Sequence, residues 1–322
     1  VVGLDFGATH MTGVAVNFVG ESLKKIDMEI DPSASKASLV DTLISTLSDL
    51  IEVSDFSGPL LGIGLLLPGM IDMERKTSMF AVNLPNWKDV SISQILEDRF
   101  SVDIEIESGS RGAALGEGWF GACKYTDDFV FIDIGYGIGS GIMTKGTLNR
   151  GAMGASGEIG HTVVQPYGRR CTCGNFGCLE TVASGRGIAE LVKEKISQGI
   201  RTSIKDIVEG DLDRIDAKIV MQAAIIGDRL SINTLEECGL YLGIAIANLI
   251  NILNPSFIVM GGRLAQVGDL ILVPMKNAIE KNTMPISFNA VEIVESELGE
   301  YAGAYGGTVL ILRKIFKEPL LT

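Results

Sequence analysis

A repeated glycine-rich segment constrains the fold of this 322-residue chain more than any other feature of its sequence. The run LDFGATHMTGVAV begins at position 4, and IDIGYGIGSGIM begins at position 132, which is 128 residues later. In each run a glycine follows the aspartate by eight residues: Gly13 follows Asp5, and Gly141 follows Asp133. Both runs predict a β-strand, a glycine turn and a returning strand, so the chain is expected to contain an internal duplication.

The glycine turns of this repeat are candidates for phosphate binding. Glycine leaves the backbone amides open to the close approach of an anion, and two such hairpins facing each other would form a nucleotide phosphate site. A third turn, Gly261-Gly262, follows a β-branched run and is expected to abut an adenine or a ribose. The alternative is a pure scaffold, in which Asp-x-Gly hairpins are common. The candidate phosphate residues are Asp5, Gly7, Thr9, Gly135, Gly137, Gly139, Gly261 and Gly262.

Strand and helix patterns alternate along the rest of the chain. LLGIGLLLPG from Leu60 and VDIEIES from Val102 predict strands, whereas SISQILEDRF from Ser91 predicts an amphipathic helix. RGAALGEGWFGA from Arg111 predicts a helix of small residues that packs closely. Residues 183–236 are predicted to be mostly helical. This alternation favours an α/β fold.

Three cysteines and a histidine in one short run predict a metal site. They are His161, Cys171, Cys173 and Cys178. Two thiolates at C-x-C spacing, a third after a glycine turn and an upstream imidazole complete a tetrahedral zinc site. Four protein ligands leave no open position for a reactive water, so the zinc is expected to be structural and to hold a loop.

The same loop carries two carboxylates, Glu158 before the histidine and Glu180 after the last cysteine. A scaffold that holds two carboxylates in place suits a ligand with many hydroxyl groups. The alternative is a zinc knuckle that stabilises the loop with no ligand nearby. The clustering of Glu158, His161 and Glu180 favours the ligand site.

Composition limits the classes of function. The net charge of −13 argues against nucleic-acid binding by these residues, because phosphate binding needs a basic surface. The apolar stretch from Gly239 is interrupted by Asn248 and Asn251 and is shorter than the roughly 20 residues of a membrane span, so a buried helix is expected. Cys123 and Cys238 remain as isolated thiols, which favours a reducing cytoplasm.

The chain resembles the ROK family of repressors, open reading frames and sugar kinases. The resemblance extends from Asp5-Phe6-Gly7-Ala8-Thr9 to the Gly261-Gly262 turn, and it is most specific in residues 158–161 and 171–180. It implies an actin-like, ribonuclease-H-like fold of two α/β domains around a cleft, usually as a homodimer. The smaller domain is expected at 1–115 plus 303–322, and the larger one at 116–302.

The resemblance also implies roles for individual residues. Glu158, His161 and Glu180, together with Ser108, are expected to bind sugar hydroxyls. The zinc ligands of the family correspond to His161, Cys171, Cys173 and Cys178. One imidazole can serve both purposes, because metal on one ring nitrogen leaves the other to face the sugar.

The chain departs from the family's kinases where the catalytic base belongs. Those kinases carry Glu-Asn-Asp before the small-residue helix, and the aspartate deprotonates the sugar hydroxyl. This chain has Glu107-Ser108-Gly109, so Gly109 occupies the base position. Loss of a positioned base costs about 10² to 10⁴ in rate. Glu107 is a possible substitute, although its Cα is expected roughly 6 to 7 Å away along an extended segment.

Both phosphate turns differ from the kinase pattern as well. Ala8 stands where the kinases have glycine, and its methyl group crowds a turn meant for close backbone approach. Tyr136 replaces a small threonine, and its phenol fills space beside the expected terminal phosphate. The changed catalytic residues beside an intact zinc and sugar cluster predict a site that binds sugar without phosphorylating it.

The leading hypothesis is therefore the effector-sensing part of a ROK-type repressor of the xylose- or glucose-responsive kind. DNA would be contacted only through a winged helix-turn-helix upstream of the first strand, outside this sequence. The alternative is a sugar kinase that uses ATP and Mg²⁺ with a divergent base. A protein that has lost both ligands and serves only structure or interaction is a third reading.

Overall fold

The fold was examined in a computed structural model, which describes residues 1–52, 58–81, 83–263 and 268–316. Its β-strands are β1 Val2–Phe6, β2 His10–Val16, β3 Ser22–Glu29, β4 Ile63–Leu67, β5 Met70–Asp72, β6 Thr77–Ala81, β7 Leu84–Val90, β8 Ile104–Ser108, β9 Phe129–Ile134, β10 Ile138–Thr144, β11 Thr147–Leu148, β12 Phe257–Gly261 and β13 Glu292–Glu295. β-Branched and other apolar residues dominate the central strands, as expected for strands covered on both faces.

The α-helices are α1 Lys36–Glu52, α2 Ile92–Phe100, α3 Gly109–Phe120, α4 Glu180–Ala183, α5 Gly185–Ser197, α6 Ile204–Ile207, α7 Ala217–Ile225, α8 Arg229–Leu253, α9 Asp269–Asn282, α10 Pro285–Phe288 and α11 Ala302–Phe316. Short 3₁₀ helices cover Ile159–His161, Leu212–Arg214 and Gly299–Tyr301. Several helices begin at side-chain caps: Ser184 caps α5, Asp216 caps α7 and Asp228 caps α8. Each cap accepts a hydrogen bond from an amide that the helix itself leaves unpaired.

The sheet topology repeats, as the duplicated sequence predicts. Within the described residues, one five-stranded sheet has the order β3-β2-β1-β4-β8, and another has the order β11-β10-β9-β12-β13. In each sheet, the first three strands in chain order lie side by side in reverse order, and the two later strands follow on the far side of the first one. In the first sheet, β1 pairs antiparallel with β2 and parallel with β4. A three-stranded sheet, β5-β6-β7, accompanies it.

The predicted hairpin of the first repeat is present with the expected register. Asp5 pairs with Thr12 and Leu4 with Gly13 across the antiparallel strands β1 and β2. The turn between them is closed by the Gly7 amide, which donates to the carbonyl oxygen of His10 over 2.9 Å. The second repeat likewise gives strand β9, a turn and strand β10.

The chain packs as two compact units. The first comprises Val1–Ile132, Ser140–Gly157 and Val294–Thr322, and its core lies around the first sheet with Phe6 and Trp87 in edge contact. The second comprises Asp133–Gly139 and Glu158–Ile293 and contains α5 to α10. The expected division at 115/116 and 302/303 stays a prediction.

Helices α3 and α11 pack unusually closely in the first unit. A side chain at Gly306 would overlap the carbonyl oxygen of Gly112, and one at Gly116 would overlap that of Ala302. The small residues of RGAALGEGWFGA thus allow backbone contact, as predicted. The helix begins two residues earlier than the predicted Arg111, at Gly109.

The apolar segment after Gly239 belongs to the 25-residue helix α8. Among the described residues, α8 is long and apolar enough to cross a membrane by length and composition, and 50% of its most apolar window is buried inside the protein. It packs along α9, and side chains at Gly239 and Gly243 would strike the α9 carbonyls of Ile271 and Met275. This packing is typical of the core helix that the sequence predicts.

Candidate functional site

The candidate metal ligands are His161, the last residue of the 3₁₀ helix Ile159–His161, and three cysteines on the irregular loop between that helix and α4. Single antiparallel bridges join Val163 with Cys178 and Arg170 with Phe176, and so fold the loop back on itself. Gly177 has a φ of 72°, and a side chain there would collide with the carbonyl oxygen of Gln165. The glycine before the third cysteine is therefore required by the backbone of the loop.

The four predicted ligands converge. The ligand atoms of His161, Cys171, Cys173 and Cys178 all lie within 4.8 Å of one another. His161 Nδ1 is 3.6 Å from Cys171 Sγ, and Cys173 Sγ is 3.7 Å from Cys178 Sγ. Zinc binds sulfur at about 2.3 Å and nitrogen at about 2.0–2.1 Å. In a tetrahedral site, two neighbouring ligand atoms are then about 3.6 to 3.8 Å apart. The residues present therefore fit a closed zinc site.

The thiols of this cluster differ in acidity. Burial and the hydrogen bond with Cys173 raise the pKa of Cys178 to about 12. Burial also works against ionisation of Cys173, but hydrogen bonds from the Asn175 backbone and from the neighbouring thiols outweigh it and lower the pKa of Cys173. A metal bound here would displace protons, because the thiolate is the ligand.

His161 presents its two nitrogens to different surroundings. Nδ1 faces Cys171, while Nε2 has no hydrogen-bond partner among the described residues. The carboxylate of Glu158, three residues earlier, is exposed and likewise has no side-chain partner within the described ranges. These groups can accept or donate hydrogen bonds to a ligand, as the sugar hypothesis requires.

Glu180 is held differently. It is the first residue of α4, and only 5% of it is exposed. Its Oε2 accepts from the Ile138 amide over 3.1 Å, and its Oε1 accepts from Arg186 Nη2 over 3.1 Å. A carboxylate offers about four lone-pair positions, so each oxygen keeps capacity for a hydroxyl donor.

Backbone groups of the second glycine turn are hydrogen-bonded within the protein. The Gly135 amide donates to the carbonyl of Gly137 over 3.0 Å. The first amides of α5, at Gly185 and Arg186, donate to the carbonyls of Gly135 and Tyr136 over 2.8 and 3.3 Å. These helix N-terminal amides, which could otherwise bind an anion, are therefore engaged by the turn.

The remaining candidate phosphate residues lie at strand ends. Thr9 Oγ1 is 3.0 Å from His10 Nδ1 in the first turn, where Ala8 packs against the core. Gly139 lies inside strand β10. Gly262, after β12, has a φ of 85°, and a side chain there would strike Asp133 Oδ1. Thr9 and Gly262 thus lie in the turns expected from the sequence, whereas Gly139 lies in the strand that follows its turn; the ligand roles of all three stay predictions.

The position of the kinase base is occupied by the N-terminus of α3. Ser108 ends β8 and caps α3 without a side-chain bond, and Gly109 is the first helical residue. A Cβ placed on Gly109 would lie 3.5 Å from Asp5 Oδ1, with ordinary contact. A Cβ is therefore tolerated there, and glycine is not imposed by the packing.

Glu107, the possible substitute base, is enclosed by arginines. It is fully buried, and its Oε1 accepts from Arg111 Nε over 2.8 Å while Oε2 accepts from Arg150 Nε over 2.6 Å. The Ser108 amide adds a third bond to Oε1 over 2.9 Å. Arg111 also donates to the carbonyl of Gly154 over 2.7 Å. The two guanidinium groups thus give this buried carboxylate its counter-charges, which is typical of a structural role.

Sequence reasoning missed three arginines that complete these clusters: Arg111, Arg150 and Arg186. Arg111 was noted only as the start of a helix, although it follows Glu107 by four residues. Such a spacing is a usable signal for an ion pair, but Arg150 and Arg186 are brought to their carboxylates by folding alone.

Comparison with known proteins identifies relatives of two kinds, regulators and sugar kinases. The xylose repressor of Caldicellulosiruptor bescii is 32% identical over 326 residues, covering 99% of this chain and 79% of the repressor. The glucokinase of Thermotoga maritima is 33% identical over 316 residues, covering 98% of both chains. The sequence is thus about equally similar to a regulator and to an enzyme.

Solved structures similar to this chain are of the same two kinds, a sugar kinase and a transcriptional regulator. A ROK family glucokinase from Streptomyces griseus, in complex with glucose and AMPPNP, superposes with a TM-score of 0.82 at 28% identity, covering 96% of this chain and 98% of that one. A ROK family transcriptional regulator homologous to the MLC protein of Escherichia coli gives a TM-score of 0.79 at 26% identity, covering 98% and 78%. The fold is the actin-like, ribonuclease-H-like one of the ROK sugar kinases. Since the ROK family model matches residues 1–314, the chain belongs to the ROK family.

Proposed function

We propose that this chain is the sugar-sensing part of a ROK-type transcriptional regulator and does not phosphorylate the sugar. The observation that carries the proposal is the absence of a base at Gly109 together with the enclosure of Glu107 by Arg111 and Arg150. A sugar hydroxyl becomes a useful nucleophile only when its proton is accepted in the transition state. Freeing Glu107 for that purpose would leave two guanidinium groups without their buried counter-charge.

The altered phosphate turns support the same conclusion. Tyr136 places a phenol, 38% exposed, in a turn whose carbonyls are already bonded to α5. Ala8 adds a methyl group to the other turn. Both changes reduce the backbone access on which nucleotide phosphates depend.

The sugar-binding groups of the proposal are Glu158, His161 and Glu180, with Ser108 as a further candidate. The first two present unpartnered polar atoms within the described residues, and Glu180 is oriented by the Ile138 amide and Arg186. A xylose, glucose or N-acetylated amino sugar offers the hydroxyl donors and acceptors that this set can bind.

Zinc in this proposal is structural. His161, Cys171, Cys173 and Cys178 would hold it, and a closed four-ligand site stabilises the loop that carries the sugar groups. The imidazole would bind metal through Nδ1 and keep Nε2 for the sugar.

Regulation would then follow from differential binding. A sugar shifts the equilibrium between two conformations only by its difference in affinity for them, typically about 1–3 kcal/mol of coupling. We expect the protein to act as a homodimer. The net charge of −13 assigns any DNA contact to a separate basic module.

An active sugar kinase is the competing function, favoured by the 33% identity to a glucokinase along 98% of its length. In that case Asp5, Thr9 and the glycine turns would bind ATP and Mg²⁺. Glu107 or a water molecule would then have to serve as the base.

ADP release distinguishes the two functions. Zinc-loaded protein at high concentration is incubated with ATP, Mg²⁺ and xylose, glucose, mannose or their N-acetyl amines, and sugar affinity is measured by calorimetry. We expect binding of at least one sugar without sugar-dependent ADP release. Turnover in the ordinary range of about 1 to 10³ per second would establish a kinase instead.

A further inference from the structure

Arg186 connects three parts of the second unit that sequence analysis treated separately. Its Nη2 donates to Glu180 Oε1 over 3.1 Å and to Thr172 Oγ1 over 3.0 Å. Its guanidinium lies 6.0 Å from the ring centre of Tyr136. Thr172 stands between two of the candidate zinc ligands, and Tyr136 belongs to the second glycine turn.

These contacts can be made at the same time. Nη2 of an arginine carries two hydrogens, so one can point to the carboxylate and the other to the threonine hydroxyl. The Arg186 amide also donates to the carbonyl of Tyr136, which fixes the backbone from which the side chain extends. Only 22% of the side chain is exposed, so the guanidinium has little freedom to leave.

The main chain of Glu180 is anchored as well. Ser184 Oγ donates to the Glu180 carbonyl over 2.7 Å and accepts from the Gly187 amide over 2.9 Å. A side chain at Gly187 would strike the same carbonyl. The remaining freedom of Glu180 therefore lies in its side-chain torsions, and these are what the bonds from Arg186 and the Ile138 amide restrict.

We propose that Arg186 is a positioning residue for sugar recognition: it fixes the carboxylate of Glu180 in the orientation that accepts sugar hydroxyls. This inference rests on the proposed function, because it takes Glu180 as a sugar ligand. The charge-assisted bond occupies one position of Oε1, the Ile138 amide occupies one of Oε2, and the remaining lone pairs face a defined direction. Sugar specificity then depends on a residue that does not itself contact the sugar.

A double-variant cycle tests the inference. The dissociation constants of xylose, glucose, mannose and N-acetylglucosamine are measured by calorimetry for the wild type, Arg186→Ala, Glu180→Ala and the double variant. Arg186→Ala is expected to weaken binding by about 10- to 100-fold, the range of a hydrogen bond to a charged group. In the Glu180→Ala background the same change should matter less than about threefold, since the residue acts through Glu180.

Two further variants separate positioning from folding. Arg186→Lys keeps a positive donor and should recover part of the lost affinity. Arg170→Ala removes an exposed arginine of the same loop, one with no side-chain partner in the described ranges, and should bind sugar like the wild type. Zinc content, measured by elemental analysis, should be unchanged in all of these variants.

The outcomes are distinguishable. An equal loss of affinity from Arg186→Ala in both backgrounds would show that Arg186 only supports the fold, and would overturn the inference. Unchanged affinity in Arg186→Ala beside a clear loss in Glu180→Ala would do the same, while leaving the sugar site in place. Unchanged affinity in Glu180→Ala, or a wild type that binds none of the sugars, would overturn the proposed function itself.

Discussion

The loop from Glu158 to Arg186 keeps the residues expected of a sugar kinase, whereas the segment from Glu107 to Arg111 departs from them. In the loop, the four candidate zinc ligands converge, and Glu158, His161 and Glu180 keep polar atoms available to a ligand. In the segment, a glycine stands at the base position and the nearest carboxylate is bound by two arginines. Under the proposed function, sugar binding and phosphoryl transfer would thus depend on different residues of one fold.

Of the changes that test this comparison, replacing a cysteine of the loop should have the largest effect. Cys173→Ser is expected to reduce zinc from about one ion per chain to near zero, because a serine hydroxyl is a poor zinc ligand at neutral pH. Elemental analysis of gently purified protein measures this, and proteolysis within residues 158–180 should become faster. Cys123→Ala, a buried thiol outside the cluster, should keep the metal. Metal-free wild-type protein would contradict the zinc assignment.

Restoring the base should have the next largest effect. Gly109→Asp is expected to raise sugar-dependent ADP release by about 10²-fold or more over the background, since it places a carboxylate at the expected base position, where a Cβ makes ordinary contact. Gly109→Asn supplies a side chain of the same size without a base and should stay at background. An equal rise in both variants would show that a carboxylate is not what the site lacks.

Neutralising Glu107 tests whether its role is structural. Glu107→Gln leaves Arg111 and Arg150 without a buried counter-charge. The free energy of unfolding should fall by about 3 kcal/mol, the lower end of the range for a broken buried ion pair, because solvent partly screens Arg150. Thermal or urea denaturation measures the change. Glu105→Gln, on the same strand, breaks more exposed pairs with Lys76 and Lys314 and should cost less than about 1 kcal/mol. Equal losses in the two variants would contradict the special role of Glu107.

Asp228, the N-cap of α8, lies outside both regions and gives a smaller expected loss of unfolding free energy for comparison. Burial works against ionisation of Asp228, but hydrogen bonds from Ser231, Ser203 and Thr202 outweigh it and hold the pKa of Asp228 below its ordinary value. Its ionised form therefore adds stability above the unfolded pKa of about 3.9, and this is lost as the pH falls through the lower folded pKa. Asp228→Asn keeps a capping side chain but replaces charge-assisted hydrogen bonds by neutral ones, so it should cost about 1 kcal/mol at pH 7, and the gap to the wild type should narrow below about pH 4. A gap that is constant with pH would contradict this origin.

Much of the fold could be predicted because its signals are local. Strand β8 and helix α2 lie close to the predicted segments, since alternating and 3.6-residue apolar patterns need no knowledge of distant residues. The repeat at Asp5 and Asp133 predicted the two strand–turn–strand hairpins, β1–β2 and β9–β10, but not the order of the sheets that contain them. The predicted strand from Leu60 is shorter in the structure, Ile63–Leu67, because apolar character alone does not mark where pairing begins.

The site was predicted in part. The ligand types and spacing of Cys171, Cys173 and Cys178 carry their own chemistry, so their convergence with His161 was expected. The sequence did not indicate that the Glu180 carboxylate would be bonded by Arg186, or that Tyr136 would lie beside that guanidinium. Side-chain direction at the start of α5 decides both contacts, and no local pattern encodes it.

By itself, the sequence determined the family, the α/β class, the donor set of the metal site and the absence of an aspartate at position 109. Each of these depends on residue identity and short-range spacing. Only the tertiary structure decided that Glu107 is held by Arg111 and Arg150, and that Arg186 ties Glu180 to the metal loop. Such contacts join residues from separate elements, and their partners are chosen by packing, because a buried charge must find its counter-charge wherever the fold brings one.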